Sequence, residues 1–191
     1  LLKAEGFDEI ILATGIEPRS PQIEGINHQS VKKYVDVIQG NAVVGGKVAI
    51  IGAGGIGFDV AELISHKGIS ASMDVDVFAR DWGIDFKNHP RGGVTGVEPV
   101  VETADREIYL LQRKETPVGR GLGKTTGWTH RIALSRRNVK MINGCDYHRI
   151  DDSGLHLTIK GQPKTLDVET VLICAGQEPN RQLYEEQNLV S

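Results

Sequence analysis

Apolar residues along this chain follow two rhythms. Uninterrupted runs occur within Asp8–Ala13 (Glu9-Ile10-Ile11-Leu12) and at Lys47–Ile51, Ile108–Leu111, Val139–Ile142 and Val171–Ala175. Each is too short for a helix and has the character of a buried strand, parallel where helices intervene. Helical spacing fills the gaps. Val31, Val35 and Ile38 predict a short helix over Val31–Gly40, stopped at Gly40-Asn41. Ile56, Val60, Leu63 and Ile64 share one face of a helix ending before Gly68, and Gly123–Arg137, carrying Trp128, Ile132 and Leu134, predicts a crossover helix. Residues 66–106 keep neither rhythm and read as an inserted stretch of functional, disordered or partly structured chain. Beyond Ile142 the pattern changes to short extended runs, Tyr147–Ile150, Leu155–Ile159 and Pro163–Val168, separated by Asp152-Ser153-Gly154 and Lys160-Gly161-Gln162; this is an antiparallel meander. A faint duplication links Ile10–Gly15 with Val171–Gly176, apolar strands that each finish in a glycine followed three residues later by a proline.

Composition narrows the function. A chain of 191 residues, 39% hydrophobic and 25% charged, suits one globular core with fragments of a neighbour. A net charge of −3 provides no basic field for a polyanion, so no nucleic-acid partner is expected. No run approaches the roughly 18 apolar residues of a membrane span, and Leu1-Leu2-Lys3-Ala4-Glu5-Gly6 lacks the design of a signal peptide. The expectation is a cytoplasmic protein with no membrane partner. The start at Leu1, with almost nothing before the first strand-like run, reads as a piece of a larger protein. Cys145 and Cys174 are far apart and in no C-x-x-C arrangement, so they are expected to be buried free thiols and no metal site is predicted.

The strongest chemical signal is Gly52-Ala53-Gly54-Gly55-Ile56-Gly57, a G-x-G-x-x-G between a predicted strand and an amphipathic helix. Gly52 permits the tight turn, Gly54 lets a pyrophosphate approach the backbone, and Gly57 lets the helix lie close on the sheet. The helix N-terminus offers free N–H groups to phosphate. The plainer alternative is a glycine turn kept only for packing. The second strand ends in Gln112-Arg113-Lys114, where NAD sites carry an acid for the ribose 2′-hydroxyl and NADP sites carry Arg for a 2′-phosphate. Arg113 and Lys114 therefore favour NADPH, against the alternative of a merely solvated strand end. The predicted fold is α/β: a Rossmann-like parallel sheet with helices on both faces plus the three-stranded antiparallel meander.

A second glycine cluster, Gly119-Arg120-Gly121-Leu122-Gly123-Lys124-Thr125-Thr126, suggests a nucleoside-triphosphate loop. The spacing fails, because Val118 stands where a Walker loop needs its first glycine. An alternative use is to start the helix that carries Trp128 and His130 toward a cofactor. Trp82 and Trp128 read as packing residues, and the histidines show no metal-ligand spacing.

Lys47-Val48-Ala49-Ile50-Ile51-Gly52 with the glycines through Gly57 and Asp59, then Gly121 through Trp128, then Cys174-Ala175-Gly176-Gln177-Glu178-Pro179-Asn180, together resemble the old-yellow-enzyme-like flavoprotein family that includes bacterial 2,4-dienoyl-CoA reductases and trimethylamine dehydrogenase. The resemblance spans nearly the whole chain and implies a pyridine nucleotide-disulfide oxidoreductase-like NAD(P) domain. It implies residues 1–24 as the end of an FAD-domain segment with its crossing, 25–174 as an inserted NADPH-binding domain, and 175–191 as the return into the FAD domain. In such an enzyme electrons pass from NADPH to FAD, a 4Fe-4S cluster, FMN and an unsaturated fatty acyl-CoA of β-oxidation. The resemblance further implies that Ala175 and Gly176 lie near the nicotinamide, with Asp59 where relatives often carry Glu, and that this piece alone does not reduce an acyl-CoA. Two rivals remain: a non-catalytic ADP-binding module, as in trimethylamine dehydrogenase relatives, and a phosphate-loop NTPase.

Overall fold

A computed structural model describes residues 2–89, 91–94 and 96–186. Their contacts form two compact units, Ser20–Ala175 and a second made from the described residues on either side of it. In chain order the elements begin with a 3-10 turn (Leu2–Glu5), β1 (Ile16–Pro18), β2 (Val31–Lys33), α1 (Tyr34–Ile38), β3 (Lys47–Ile51), α2 (Gly55–Ser65), α3 (Val75–Trp82) and β4 (Glu107–Leu111). They continue with α4 (Gly127–Arg136), β5 (Lys140–Ile142), β6 (Cys145–Asp151), β7 (Gly154–Ile159), β8 (Gln162–Leu166), β9 (Thr170–Ile173), β10 (Gln177–Pro179) and α5 (Gln182–Glu186).

Within Ser20–Ala175 a five-stranded sheet in the order β2-β9-β3-β4-β5 is parallel throughout, and β6-β7-β8 form the antiparallel meander. The α/β architecture is the expected one, with one correction. Helices do not cover both faces of the sheet. Val48 and Ile50 of β3, Ile108 and Leu110 of β4 and Leu172 of β9 pack with Phe58, Val60, Ala61 and Ile64 of α2, Leu134 of α4 and Tyr34 and Val37 of α1. The alternate residues Ala49, Ile51, Leu111, Val171 and Ile173 pack instead with Ile150, Leu155, Leu157 and Leu166 of the meander. Side chains alternate across a strand, so one run of apolar residues serves both layers. The second layer is a sheet because its strands alternate with exposed polar residues and are linked by turns too short for helical crossovers.

Three local expectations need correction. Glu9–Leu12 is not a strand: Ile11 is 90% exposed, and among the described residues no strand pairs with this run. An extended segment without a ladder partner has nothing to fix it. Val31–Lys33, expected as the first turn of a helix, is strand β2 paired in parallel with β9, leaving only Tyr34–Ile38 helical. On α2, Leu63 is half exposed, and Phe58 and Ala61 complete the buried face in its place. Residues 66–106 are partly structured, since α3 forms inside them. Asp74 caps it by accepting from the Asp76 and Val77 N–H groups at 2.9 and 3.0 Å, and Gly83, in the left-handed region at φ 71°, ends it.

Of the faint duplication only the Val171–Gly176 copy forms a strand, since Ile10–Gly15 does not; the short segments that follow the two copies, β1 and β10, pair antiparallel with Ile16 opposite Pro179 and Pro18 opposite Gln177. The Gly15 carbonyl accepts from the Asn180 N–H and the Gly176 carbonyl accepts from the Arg19 N–H, both at 3.0 Å. Both glycines have positive φ.

Candidate functional site

The chain runs from β3 through α2 to β4 and on to β5, then returns to β9 on the opposite side of β3. Open α/β sheets bind ligands outside the carboxyl ends of the strands at such a reversal, here those of β3 and β9. The Gly52–Gly57 loop fills that position. Gly52 donates its N–H to the Leu111 carbonyl at 3.0 Å, and Cys174 donates to the Ile51 carbonyl at 2.8 Å, so the loop is tied to both neighbouring strands.

The glycines divide by what surrounds them. At Gly52, φ is 113° and a Cβ would collide with the Cys174 carbonyl oxygen. At Gly57 a Cβ would collide with the Gly52 carbonyl oxygen and stand 3.4 Å from Leu110 Cδ1, so the start of α2 rests directly on the strand end. Gly54 and Gly55 differ: no protein atom lies within 4 Å of a Cβ built on either, and both are exposed. Gly54 is the N-cap of α2, makes no side-chain cap and accepts the first helical bond, from Phe58 N–H at 3.1 Å. The first N–H groups of the helix therefore emerge beside bare backbone. Two glycines are demanded by the protein itself, and two leave space that the protein does not fill. Ala53 and Ile56 are half-buried beneath the loop and pack on the core.

Arg113 and Lys114 stand exposed just past the end of β4, two and three residues beyond the Leu111 carbonyl that holds Gly52. Neither side chain forms an ion pair or hydrogen bond among the described residues. Gln112 shapes this tip: its amide donates to the Lys114 and Thr116 carbonyls at 3.0 and 2.7 Å, while Gly144 and Cys145 donate their N–H groups to the Lys114 and Gln112 carbonyls. Tyr147 is a neighbour that sequence patterns did not single out. Its hydroxyl is shielded from solvent without a partner among the described residues; burial pushes its pKa above the ordinary phenol value and the charge of Arg113 draws it back. Its place in an ordinary alternating strand carried no local signal.

Ala175 directly follows Cys174, and its nitrogen would lie 3.1 Å from a Cβ on Gly52, which places it under the glycine loop. Asp59 is on the exposed side of α2 and makes no hydrogen bond or ion pair among the described residues. Gly176 belongs to the other unit, where its backbone is exposed at φ 107° with the Arg19 guanidinium beside it.

The second glycine cluster does not form a phosphate loop. Gly119 is buried, a Cβ there would meet Phe58 Cζ at 2.7 Å, and its carbonyl accepts from Arg131 at 3.2 Å. The cluster is a packing turn against α2. Nor does α4 carry Trp128 and His130 toward the glycine loop, as expected from sequence. Trp128 packs edge-on against Trp82 of α3 at 6.1 Å and donates to the Thr125 carbonyl, and His130 faces Glu62 at 3.4 Å.

Cys174 lies beneath the site as a buried free thiol, its pKa raised to about 12 by desolvation; burial raises Cys145 as well. Folding favours the protonated thiol at both positions. Their contribution to stability is therefore complete below the ordinary thiol pKa and is lost as pH rises from there, for Cys174 toward about 12. At pH 8 in the native protein both cysteines are expected to react with iodoacetamide roughly a hundredfold more slowly than in denaturant, as read by mass spectrometry. Equal rates in the two states would show that the thiols are open to solvent.

Over residues 3–190 the chain matches the protein family described as pyridine nucleotide-disulphide oxidoreductase. A metal reductase of Desulforamulus reducens is 24% identical over 179 residues, covering 94% of this chain and 25% of that protein. A cinnamate reductase of Clostridium sporogenes is 40% identical over 67 residues, 35% of this chain and 10% of that one. Among solved structures, a 2-naphthoyl-CoA reductase in complex with 2-naphthoyl-CoA superposes with a TM-score of 0.66 at 20% identity, covering 91% of this chain and 21% of that chain. The chain thus spans a quarter or less of the length of these relatives.

Proposed function

The chain belongs to the pyridine nucleotide-disulphide oxidoreductase family and carries the NAD(P)-binding domain of a flavoprotein oxidoreductase, and from that premise we propose that it binds NADPH and delivers its reducing equivalents to FAD in a longer polypeptide. The observation that carries the proposal is the pairing of open backbone at Gly54 and Gly55 with the free cations Arg113 and Lys114 at the next strand end. The residues fit the group. The N-terminus of α2 receives the pyrophosphate over Gly52, Ala53, Gly54, Gly55, Ile56 and Gly57, Arg113 grips the 2′-phosphate through its planar fork, and Lys114 adds charge. Ala175 and Gly176 carry the backbone that faces the nicotinamide, and Asp59 borders the helix start. Bound NADPH supplies the hydride; this chain's part is to hold, orient and shield it.

The domain limits that accompany this reading are an FAD-domain segment with its crossing at 1–24, the NADPH domain at 25–174 and the return at 175–191. We further assign the parent enzyme to the enoate and acyl-CoA reductases, with FMN and a 4Fe-4S cluster elsewhere in it and a 2,4-dienoyl-CoA as substrate. Support comes from the 40% identical segment shared with a cinnamate reductase and from the motifs Gly121–Trp128 and Cys174–Asn180. On this assignment the chain alone is inactive on the acyl-CoA.

Titration calorimetry of the chain with NADPH, NADH, ADP and ATP with magnesium tests the reading. NADPH is expected to bind at least tenfold more tightly than NADH or ADP. Equal affinity for ADP and NADPH would point to a non-catalytic nucleotide module, and magnesium-dependent ATP binding to a phosphate-loop protein.

A further inference from the structure

Arg113 and Lys114 sit on a turn whose backbone is held from two directions. From the strand end itself, the Gln112 side-chain amide reaches across the turn, donating to the Lys114 carbonyl at 3.0 Å and the Thr116 carbonyl at 2.7 Å. From the connection between β5 and β6, the Asn143 side-chain amide donates to the Glu115 carbonyl at 2.5 Å and the Thr116 carbonyl at 3.4 Å. Its neighbour Gly144, in the left-handed region at φ 67°, gives its N–H to the Lys114 carbonyl at 3.1 Å, and Cys145 gives its own to the Gln112 carbonyl at 3.0 Å. Both amides face the turn through nitrogen, because an amide oxygen there would meet only other acceptors. Among the described residues, every hydrogen bond from the Gln112 and Asn143 side chains goes to this turn.

We propose that Gln112 and Asn143 are positioning residues that set the choice of coenzyme, holding the turn so that Arg113 and Lys114 are pre-organised for the 2′-phosphate. The inference rests on the NADPH reading above and deepens it. A cationic side chain on a loose turn must have both backbone and rotamers ordered when it binds, and that ordering weakens the complex. A backbone already fixed leaves only the side chain to order. Arg also needs its planar fork aligned for two parallel bonds, which a shifting turn would not keep. The 2′-phosphate is the group that NADPH has and NADH lacks, so the clamp acts on NADPH alone. Contacts of the pyrophosphate with Gly52–Gly57 are common to both coenzymes and draw on neither amide.

NADPH and NADH affinities are measured by calorimetry on the chain, on Gln112→Met, on Asn143→Ala and on the double variant. NADPH affinity is expected to fall roughly three- to fivefold in each single variant and about tenfold or more in the double. NADH affinity is expected to stay within about twofold, which also shows that the variants fold. Hydrogen exchange across residues 113–116 is expected to quicken in the same proteins. With Arg113→Met and Lys114→Met already in place, adding either amide substitution is expected to change NADPH affinity by less than about twofold, because the amides act through those cations. Equal losses for NADPH and NADH would mean that the amides merely support the fold and would overturn the proposal. So would undiminished NADPH affinity in the double variant, or a further loss where the two cations are absent. A parent chain with no preference between the coenzymes would remove the NADPH reading itself, and this inference with it.

Discussion

Replacing Gly57 by alanine is expected to lower the melting temperature by roughly 5–10 °C and to abolish measurable NADPH binding. In an ordinary helix the change would stabilise by about 1 kcal/mol, because alanine is the better helix former. Here the new methyl group meets the Gly52 carbonyl oxygen, which is backbone and held by the strand ladder. Overpacking against atoms that cannot rotate away costs about 1–3 kcal/mol, and in a chain of this size each kcal/mol shifts the midpoint by roughly 2–4 °C. Gly54→Ala provides the contrast. No protein atom stands near its Cβ position and its φ of −84° suits any residue, so the melting temperature is expected to stay within about 3 °C while NADPH affinity falls at least tenfold. Thermal melts and calorimetry on the two variants separate packing from ligand contact. A Gly57→Ala protein as stable as the parent would mean that α2 does not rest on the strand end as described.

Arg113→Glu is expected to reduce NADPH affinity at least a hundredfold while NADH affinity holds or rises. The lost charged hydrogen bonds account for about 1.5–3 kcal/mol, and a carboxylate in that place adds repulsion of the phosphate. The same carboxylate can accept from the 2′-hydroxyl of NADH, which turns the preference around. Arg113 is exposed and forms no ion pair among the described residues, so stability should move by less than about 0.5 kcal/mol. Unchanged NADPH affinity in a folded Arg113→Glu protein would remove the basis for assigning that coenzyme.

Much of this site was legible in the sequence because its signals are local. Lys47–Ile51, the glycines and the apolar face of α2 occupy one continuous stretch, and strand, turn and helix each carry their own pattern. What escaped depends on residues far away in the chain. Val31–Lys33 has a spacing that fits a helix turn, and it becomes a strand only because β9, some 140 residues later, lies beside it. Which layer covers the second face of the sheet is likewise unreadable locally, since alternating buried residues in β3 look the same under a helix or under a meander. Ile11 shows the reverse failure, an apolar run with no ladder to join. The cap and stop of α3, Asp74 and Gly83, were present in the sequence but were hidden within a stretch rich in glycine and proline. The missing partner of the buried Tyr147 hydroxyl is a tertiary fact with no sequence signature.

The clasp between Ile16–Pro18 and Gln177–Pro179 has a consequence for how such a module can be handled. With Arg19 and Gly176 joined by a hydrogen bond, the polypeptide departs and comes back at a single point, and Ser20–Ala175 has its two ends side by side. Joining neighbouring ends costs little chain entropy, so the segment behaves as a cassette that can be grafted into a host hairpin, or excised and bridged by a few residues, without rethreading the host.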